Sequence, residues 1–257
     1  MRAMVFAAGL GTRLRPLTDD RPKALVEIDG RTLLEITLSR LRSFGVHEVM
    51  INVHHFAGMI VEYLKTNDNF GLRIALSHEH ELLDTGGGLK KAAHFFVENS
   101  SRPEEPFIVH NVDVLSTIDL RRMVRFHTES KALATLAVQG RKTSRYLLFD
   151  EHNQLCGRRS ANRQAELVRP SLLQSSPELS QQEQELAFSG IHVISPRFLR
   201  MLNEDGAFSI ITSYLRLAGE GEKILAFRAD EYYWRDLGKP EQVEQAARDI
   251  QQGVVTQ

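Results

Sequence analysis

The chain has 257 residues, with 32 Lys and Arg against 33 Asp and Glu, a formal net charge of -1, 42% hydrophobic residues and 25% charged ones. This composition excludes a disordered or fibrous chain, and the balanced charge excludes a basic field able to hold nucleic acid by electrostatics alone. A single cysteine, Cys156, excludes an internal disulfide and a cysteine zinc cluster. No apolar run reaches the ~20 residues of a membrane span, and the apolar stretch 3–10 lacks a signal-peptide cleavage pattern, so a cytoplasmic protein with no membrane partner is expected.

In chain order, the continuous apolar run 3–8 predicts a strand buried on both faces. Residues 9–23, rich in Gly, Pro and charge, read as a loop. Leu34, Leu38 and Leu41 at i, i+4 and i+7 predict an amphipathic helix over 32–44, capped by Gly45. Strands follow at 46–53, 72–77, 106–110 and 132–139, and helices at 57–65, 88–98 and 119–129. This alternation predicts βαβ units: an α/β fold with a Rossmann-like, mostly parallel sheet flanked by helices. Ligands in such sheets bind beyond the C-terminal ends of the strands.

The character changes after residue 140. Residues 145–157 predict a β-hairpin turning at 151–154. The Ser-, Gln- and Glu-rich stretch 171–187 has little periodicity and reads as a loose loop. Strands are expected at 188–194, 223–228 and 232–237, with a helix at 208–217. The pattern of Val243, Ala247 and Ile250 after Pro240 predicts a closing helix. The expected organisation is one domain: an alternating α/β part over 1–140, a smaller mixed β part over 141–239, and a C-terminal helix within 240–257. No repeats or hexapeptide tail occur, which argues against a second catalytic module.

The string Ala7-Ala8-Gly9-Leu10-Gly11-Thr12-Arg13, followed by Pro22-Lys23, leaves the first strand. Glycines there let the backbone turn and turn N–H groups toward an anion, and Arg13 with Lys23 brings two cations to one loop, which suits a triphosphate. The glycines alone fit a solvated strand-to-loop turn equally well. Leu14 replaces the third glycine of the dinucleotide fingerprint, and no Gly-Lys-Ser/Thr of a P-loop follows. Residues 85–88 read as a glycine loop able to approach a flat base, ahead of a helix N-terminus. Asp113 read alone is as readily a turn or cap residue, and Asp236 as readily the surface partner of Arg235.

Taken together and in order, these motifs resemble the sugar-1-phosphate nucleotidylyltransferases, also called NDP-sugar pyrophosphorylases. They are Gly9-Leu10-Gly11-Thr12-Arg13 with Pro22-Lys23, Asp84-Thr85-Gly86-Gly87-Gly88, Asn111-Val112-Asp113, and Trp234-Arg235-Asp236-Leu237-Gly238. The likeness runs from residue 2 to about residue 247. It is strongest to short bacterial members such as the N-acetylmuramate-1-phosphate uridylyltransferases and the mannose- or heptose-1-phosphate guanylyltransferases. It implies transfer of a nucleotidyl group from UTP or GTP to a sugar 1-phosphate by a monomer or small homo-oligomer. It assigns Arg13 to the β- and γ-phosphates and Lys23 to the α-phosphate as the catalytic cations. It assigns Ala8, Gly9, Gly11, Thr12, Asp84, Thr85, Gly86 and Gly87 to the nucleotide, and Asn111, Ser189 and Gly190 to the sugar. Asp113 and Asp236 would hold Mg²⁺. Val112 stands where this family commonly has a smaller residue.

A catalytically silent nucleotide or NDP-sugar sensor of the same fold would lack Arg13, Lys23 or a metal carboxylate, and all are present. A glycosyltransferase would carry Asp-x-Asp, which Asn111-Val112-Asp113 only half matches. Trp234 reads as core beside Asp236, and Cys156 has no base in view for a nucleophile. His54, His55, His78 and His80 read as surface or substrate-near polar residues rather than as a metal cluster.

Overall fold

The computed structural model describes residues 1–98, 103–160, 165–168 and 184–255. The first half contributes strands β1 (Arg2–Phe6), β2 (Glu27–Ile28), β3 (Arg31–Thr32), β4 (Glu48–Val53), β5 (Arg73–His78), β6 (Phe107–Asn111), β7 (Val114–Ser116) and β8 (Ala134–Gln139). The second half adds β9 (Arg145–Phe149), β10 (Leu155–Ser160), β11 (Ala165–Leu167), β12 (Gln184–Ile194), β13 (Ile224–Arg228) and β14 (Trp234–Asp236). The main sheet runs β11-β10-β9-β12-β6-β1-β4-β5, with β8 joined to β12 and β13 to β8. β1, β4, β5 and β6 are mutually parallel, as are β8 and β13. β12 lies antiparallel between β6, β8 and β9, so one continuous sheet passes through both expected parts of the chain.

The apolar run of β1 is continuous because both its faces are covered. Ala3 and Val5 join one core with the helices Leu33–Ser43, Ala57–Thr66, Leu120–Ser130 and Pro240–Gln251, while Met4 and Phe6 join a second core under Asp84–Lys91 and Ile210–Gly219. The period of two along the strand makes this division.

Most predicted elements occur within a few residues of their expected bounds. The loop expected over 171–187 lies outside the described residues up to 183, and residues 184–187 belong to β12, where Gln184 to Leu186 pair with β9. β12 is longer than expected because it serves three partners, pairing with β9 over Gln184 to Leu186, with β8 from Ala187 and with β6 from Ile191, just after Gly190 at φ +72°.

The helix Asp84–Lys91 begins where a loop was expected, with Thr85 to Gly88 in its first turns. The reason is a close backbone approach. The N–H groups of Gly86 and Gly87 donate to the Phe208 carbonyl at 2.8 and 3.3 Å, satisfying amides that a helix N-terminus leaves orphaned. A Cβ on Gly86 would lie 2.2 Å from Phe208 Cε2 and 2.9 Å from its carbonyl oxygen. The Ile210 amide donates to Thr85 Oγ1 at 3.0 Å, so this turn also caps the helix Ile210–Gly219. Three helical glycines are intrinsically unfavourable, and the tertiary contact offsets that cost.

Three histidines are buried in these cores. Burial lowers His110 to about 4, His127 to about 4 and His192 to about 3. His127 Nδ1 sits 2.9 Å from Thr135 Oγ1, and His192 Nδ1 sits 2.7 Å from Tyr214 Oη.

Two stability predictions follow from this packing. Gly86→Ala forces a methyl into backbone and should cost about 2 kcal/mol, or roughly 4–8 °C in Tm. An unchanged Tm would show that the 206–208 segment yields freely. The folded imidazoles titrate below their unfolded value of 6.5, so their contribution is complete above that pH and is lost as pH falls from 6.5 toward 4. Unfolding near pH 5 should take up to three extra protons, a slope of about 4 kcal/mol per pH unit. Urea midpoints that stay flat from pH 7.5 to 4.5 would show these imidazoles to be solvated.

Candidate active site

The site grows from the edge where β1, β4 and β6 end together. Phe6 is in register with Asn52 on one side and with Asn111 on the other, so their loops leave from one line. The glycine-rich loop turns at Gly11, whose φ is +67°. The Gly11 carbonyl accepts from Leu14 N at 2.8 Å and from Thr18 Oγ1 at 2.9 Å. A Cβ on Gly11 would sit 3.0 Å from Thr18 Cγ2 and 3.2 Å from Lys23 Cβ, so this glycine is required by the turn itself.

A buried polar relay ties the loop to its neighbours. Ala7 N donates to Asn52 Oδ1 at 2.8 Å, and Asn52 Nδ2 donates to Glu79 Oε1 at 2.8 Å. Glu79 Oε2 accepts from Leu83 N at 3.1 Å, one residue before Asp84. Asn52 and Glu79 are both buried, and a satisfied network at this depth rigidifies what it connects. Neither residue belongs to a sequence motif: Asn52 lies near the end of β4 and Glu79 just after β5. Asp84 has φ +55°, a left-handed conformation that aspartate tolerates, with its Oδ1 accepting from Thr85 N at 2.6 Å.

Two cavities open beside this edge. The first holds about 480 Å³, within the usual range of ligand pockets, and is lined by Ala8, Gly9, Gly11, Thr12, Arg13 and Lys23 together with the relay residues. The second is lined by Arg141, Ser189, Gly190, Trp234 and Asp236. Arg13, Asp84, Thr85, Asn111 and Asp113 line both, so the cavities meet along a shared seam. Thirteen of the expected site residues thus line one cavity or both. Gly86 and Gly87 do not: they face Gly206 and Phe208, and their amides are taken by the Phe208 carbonyl.

Charge of both signs converges on the seam. Lys23, 8% exposed, forms an ion pair through Nζ with Asp113 Oδ2. β7 and β14 pair antiparallel with Asp236 opposite Val114, and Leu237 N donates to the Asp113 carbonyl at 2.8 Å, which brings the two aspartates together. A Cβ on Gly238 would meet Arg13 Nη2 at 2.8 Å and Asp236 Oδ1 at 2.7 Å, so the bare glycine lets guanidinium and carboxylate share one corner. Arg13 itself is exposed and makes no hydrogen bond or ion pair among the described residues. Asp236 is not the partner of Arg235, which pairs with Asp249 at 2.8 Å. Its Oδ1 instead accepts from Gly238 N at 2.7 Å.

Two carboxylates facing one cavity are hard-oxygen donors suited to Mg²⁺, which takes one or two carboxylates plus phosphate oxygens and waters. No cluster of three His, Cys, Asp or Glu suited to a metal occurs among the described residues. His54 Nδ1 lies 2.8 Å from the Glu79 carbonyl.

On the far side of the seam, Asn111 Oδ1 and Ser189 Oγ are buried without a hydrogen-bond partner among the described residues, and both residues line the second cavity. Gly190 is demanded by Asn111, whose Nδ2 would lie 2.8 Å from an added Cβ. Trp234 is only partly core. Its Nε1 donates to the Ser189 carbonyl at 2.7 Å, and one face carries Arg141, with Cζ 3.6 Å from the ring centroid. Arg141 had no signal in the sequence, because a single arginine after a strand follows no period. Cys156 is buried with Sγ 3.3 Å from the Leu148 carbonyl, away from either cavity.

No helix among the described residues is long and apolar enough to cross a membrane. Residues 2–253 match the nucleotidyl transferase family. The chain is 33% identical to an N-acetylmuramate alpha-1-phosphate uridylyltransferase of Caulobacter vibrioides, over 93% of this chain and 92% of that one. It is 29% identical to a mannose-1-phosphate guanyltransferase beta-A of Xenopus laevis, over 93% of this chain but 62% of the relative. A crystal structure of a putative glucose-1-phosphate thymidylyltransferase from Bacillus anthracis superposes with a TM-score of 0.77 at 16% identity, covering 96% of this chain and 94% of that one, and so shares its fold. With its ordered motifs gathered on one seam and the match spanning nearly all of its length, the chain belongs to the nucleotidyl transferase family.

Proposed function

We propose that this nucleotidyltransferase joins a nucleoside triphosphate, UTP first and GTP second, to an N-acetylated or manno-configured sugar 1-phosphate. The products are an NDP-sugar and pyrophosphate. The observation that carries this reading is the seam: Arg13, Asn111 and Asp113 face both cavities, so ligands on either side can meet there. The preference for UTP and an N-acetylated sugar draws on the Caulobacter relative, which matches nearly end to end.

In the reaction a phosphate oxygen of the sugar 1-phosphate attacks the α-phosphorus in line, and the bond to the β-phosphate oxygen breaks as pyrophosphate leaves. The sugar phosphate is already ionised at neutral pH, so the residues must supply positive charge and alignment rather than a general base. The N–H groups of the loop from Ala8 to Thr12 and the unpaired Arg13 take the β- and γ-phosphates. Lys23, held at the seam by Asp113, lies where the α-phosphate would pass. Asp84 and Thr85 close the nucleoside end. Asn111 and Ser189 line the sugar side of the seam, and Gly190 leaves room for the ring. Asp113 and Asp236 would hold Mg²⁺, which when bound would offset the charge of the approaching phosphates.

Pyrophosphate release with four NTPs against a panel of sugar 1-phosphates tests the reaction and its substrates. Equal kcat/KM for ATP and UTP would overturn the base preference, and a clear preference for glucose 1-phosphate would overturn the sugar preference. Asp113→Asn or Asp236→Asn should lower kcat at least ~10²-fold, the scale of losing one electrostatic stabiliser. Full turnover by either variant in EDTA-treated buffer would refute the metal assignment. Arg13→Ala should lower kcat by a similar factor with Tm nearly unchanged, since its side chain is exposed and unpaired. A large fall in Tm with normal turnover would make it structural.

A further inference from the structure

We propose that Arg141 binds the phosphate of the sugar 1-phosphate, holding the attacking group in the second cavity. The inference rests on the sugar-1-phosphate reading above and adds a residue that none of the sequence motifs contains.

Arg141 follows β8 and is fixed on three sides. The turn before it is pinned by Gly140 N donating to Asp230 Oδ1 at 2.7 Å. Its Nη2 donates to the Phe188 carbonyl at 2.7 Å. Its guanidinium lies on the Trp234 ring at 3.6 Å, and Trp234 is itself held by its bond to the Ser189 carbonyl. The cation is therefore oriented before any ligand arrives, which lowers the ordering cost of binding.

The charge on this group is not neutralised. Among the described residues Arg141 has no ion-pair partner, whereas Arg158, Arg159, Arg197, Arg216 and Arg235 each pair with a carboxylate. Nε is buried without a partner, Nη1 makes no hydrogen bond among the described residues, and Arg141 lines the second cavity. Burial lowers the Arg141 pKa, with the charge of Asp236 acting in the opposite direction. A partly desolvated cation without a counter-anion is costly unless a ligand supplies one.

Its position decides which anion that is. Trp234 and Asp236 are two residues apart on β14, about 6–7 Å along one face of the strand. Arg141 on the indole therefore stands one strand repeat from the carboxylate expected to hold the metal. A phosphate spanning that distance would meet both, with its ester oxygen toward Asn111, Ser189 and Gly190. If Arg141 merely braced β12, one N–H to the Phe188 carbonyl would be enough, and glutamine could provide it.

Arg141→Gln and Arg141→Ala test the assignment by pyrophosphate release, with mannose 1-phosphate, glucose 1-phosphate and N-acetylmuramate 1-phosphate as acceptors. The KM for the best acceptor should rise about ten- to hundredfold, the scale of a lost charged hydrogen bond. The KM for the NTP should stay within twofold. Trp234 is the only tryptophan in the chain, so its fluorescence reports on the same contact without turnover. Inorganic phosphate titrated into the wild-type protein should change the emission saturably, and Arg141→Gln should abolish that change. An unaltered acceptor KM in Arg141→Gln, with an unaltered phosphate titration, would overturn the proposal and leave the reaction intact. If the wild-type protein turns over no sugar 1-phosphate, the reaction reading fails instead. The phosphate titration then decides Arg141 alone: a signal lost in Arg141→Gln upholds a phosphate site, and a signal absent or retained overturns it.

Discussion

Parallel pairing in register is the constraint from which the site hangs. Because Phe6 stands beside both Asn52 and Asn111, the chain leaves three strands along one line, and every loop of the site starts there. The backbone groups at such an edge have no further strand to bond and must be satisfied otherwise. Asn52 and Glu79 do this for Ala7 and Leu83, linking the loop after β1 to the residues just before Asp84 through two buried side chains. The antiparallel entry of β12 next to β6 then sets Ser189 and Gly190 against Asn111.

The second organising factor is charge. A reaction that presses two phosphates together needs cations from more than one direction, and here they come from separate segments. Arg13 and Lys23 arrive on the first loop, and Arg141 arrives after β8. The carboxylates come on β14 and on the turn between β6 and β7. Lys23 and Asp113 are paired while largely out of water. Removing either would strand the other, which costs far more than an exposed pair is worth. Arg13 lies at the opposite extreme, exposed and without a partner among the described residues, so its charge remains available to a ligand.

What could be read from the sequence follows from which physical signals are local. The apolar run of β1, the i, i+4, i+7 leucines of the helix Leu33–Ser43, and the glycine turn with its two cations are all short local patterns. The resemblance of the ordered motifs added pairings such as Asp113 with Asp236, which no local pattern contains. What escaped depended on distant partners. The helix Asp84–Lys91 was expected to begin at Gly88, because glycines break isolated helices, and only the Phe208 carbonyl explains why they form one here. Arg141 and Glu79 gave no signal, since a buried or stacked charge is defined by what surrounds it. β7 was missed because a three-residue strand has no period to detect.

The glycines separate what the fold requires from what a ligand requires. Gly86 and Gly87 are crowded by Phe208 and Gly206, so packing alone accounts for them, although a family signature places them with the nucleotide. Gly11 is accounted for by its positive φ and by Thr18 pressed against it. Gly9 is different. Its φ lies outside the left-handed range, an added Cβ would have nothing within 4 Å, and it lines the first cavity. Nothing in the fold calls for glycine at that position, and a side chain there would project into open space beside the loop. The need for glycine at residue 9 therefore falls on whatever enters that cavity and approaches the backbone closely. On the proposed reading that ligand is the triphosphate, whose phosphates main-chain N–H groups would hold and side chains would screen.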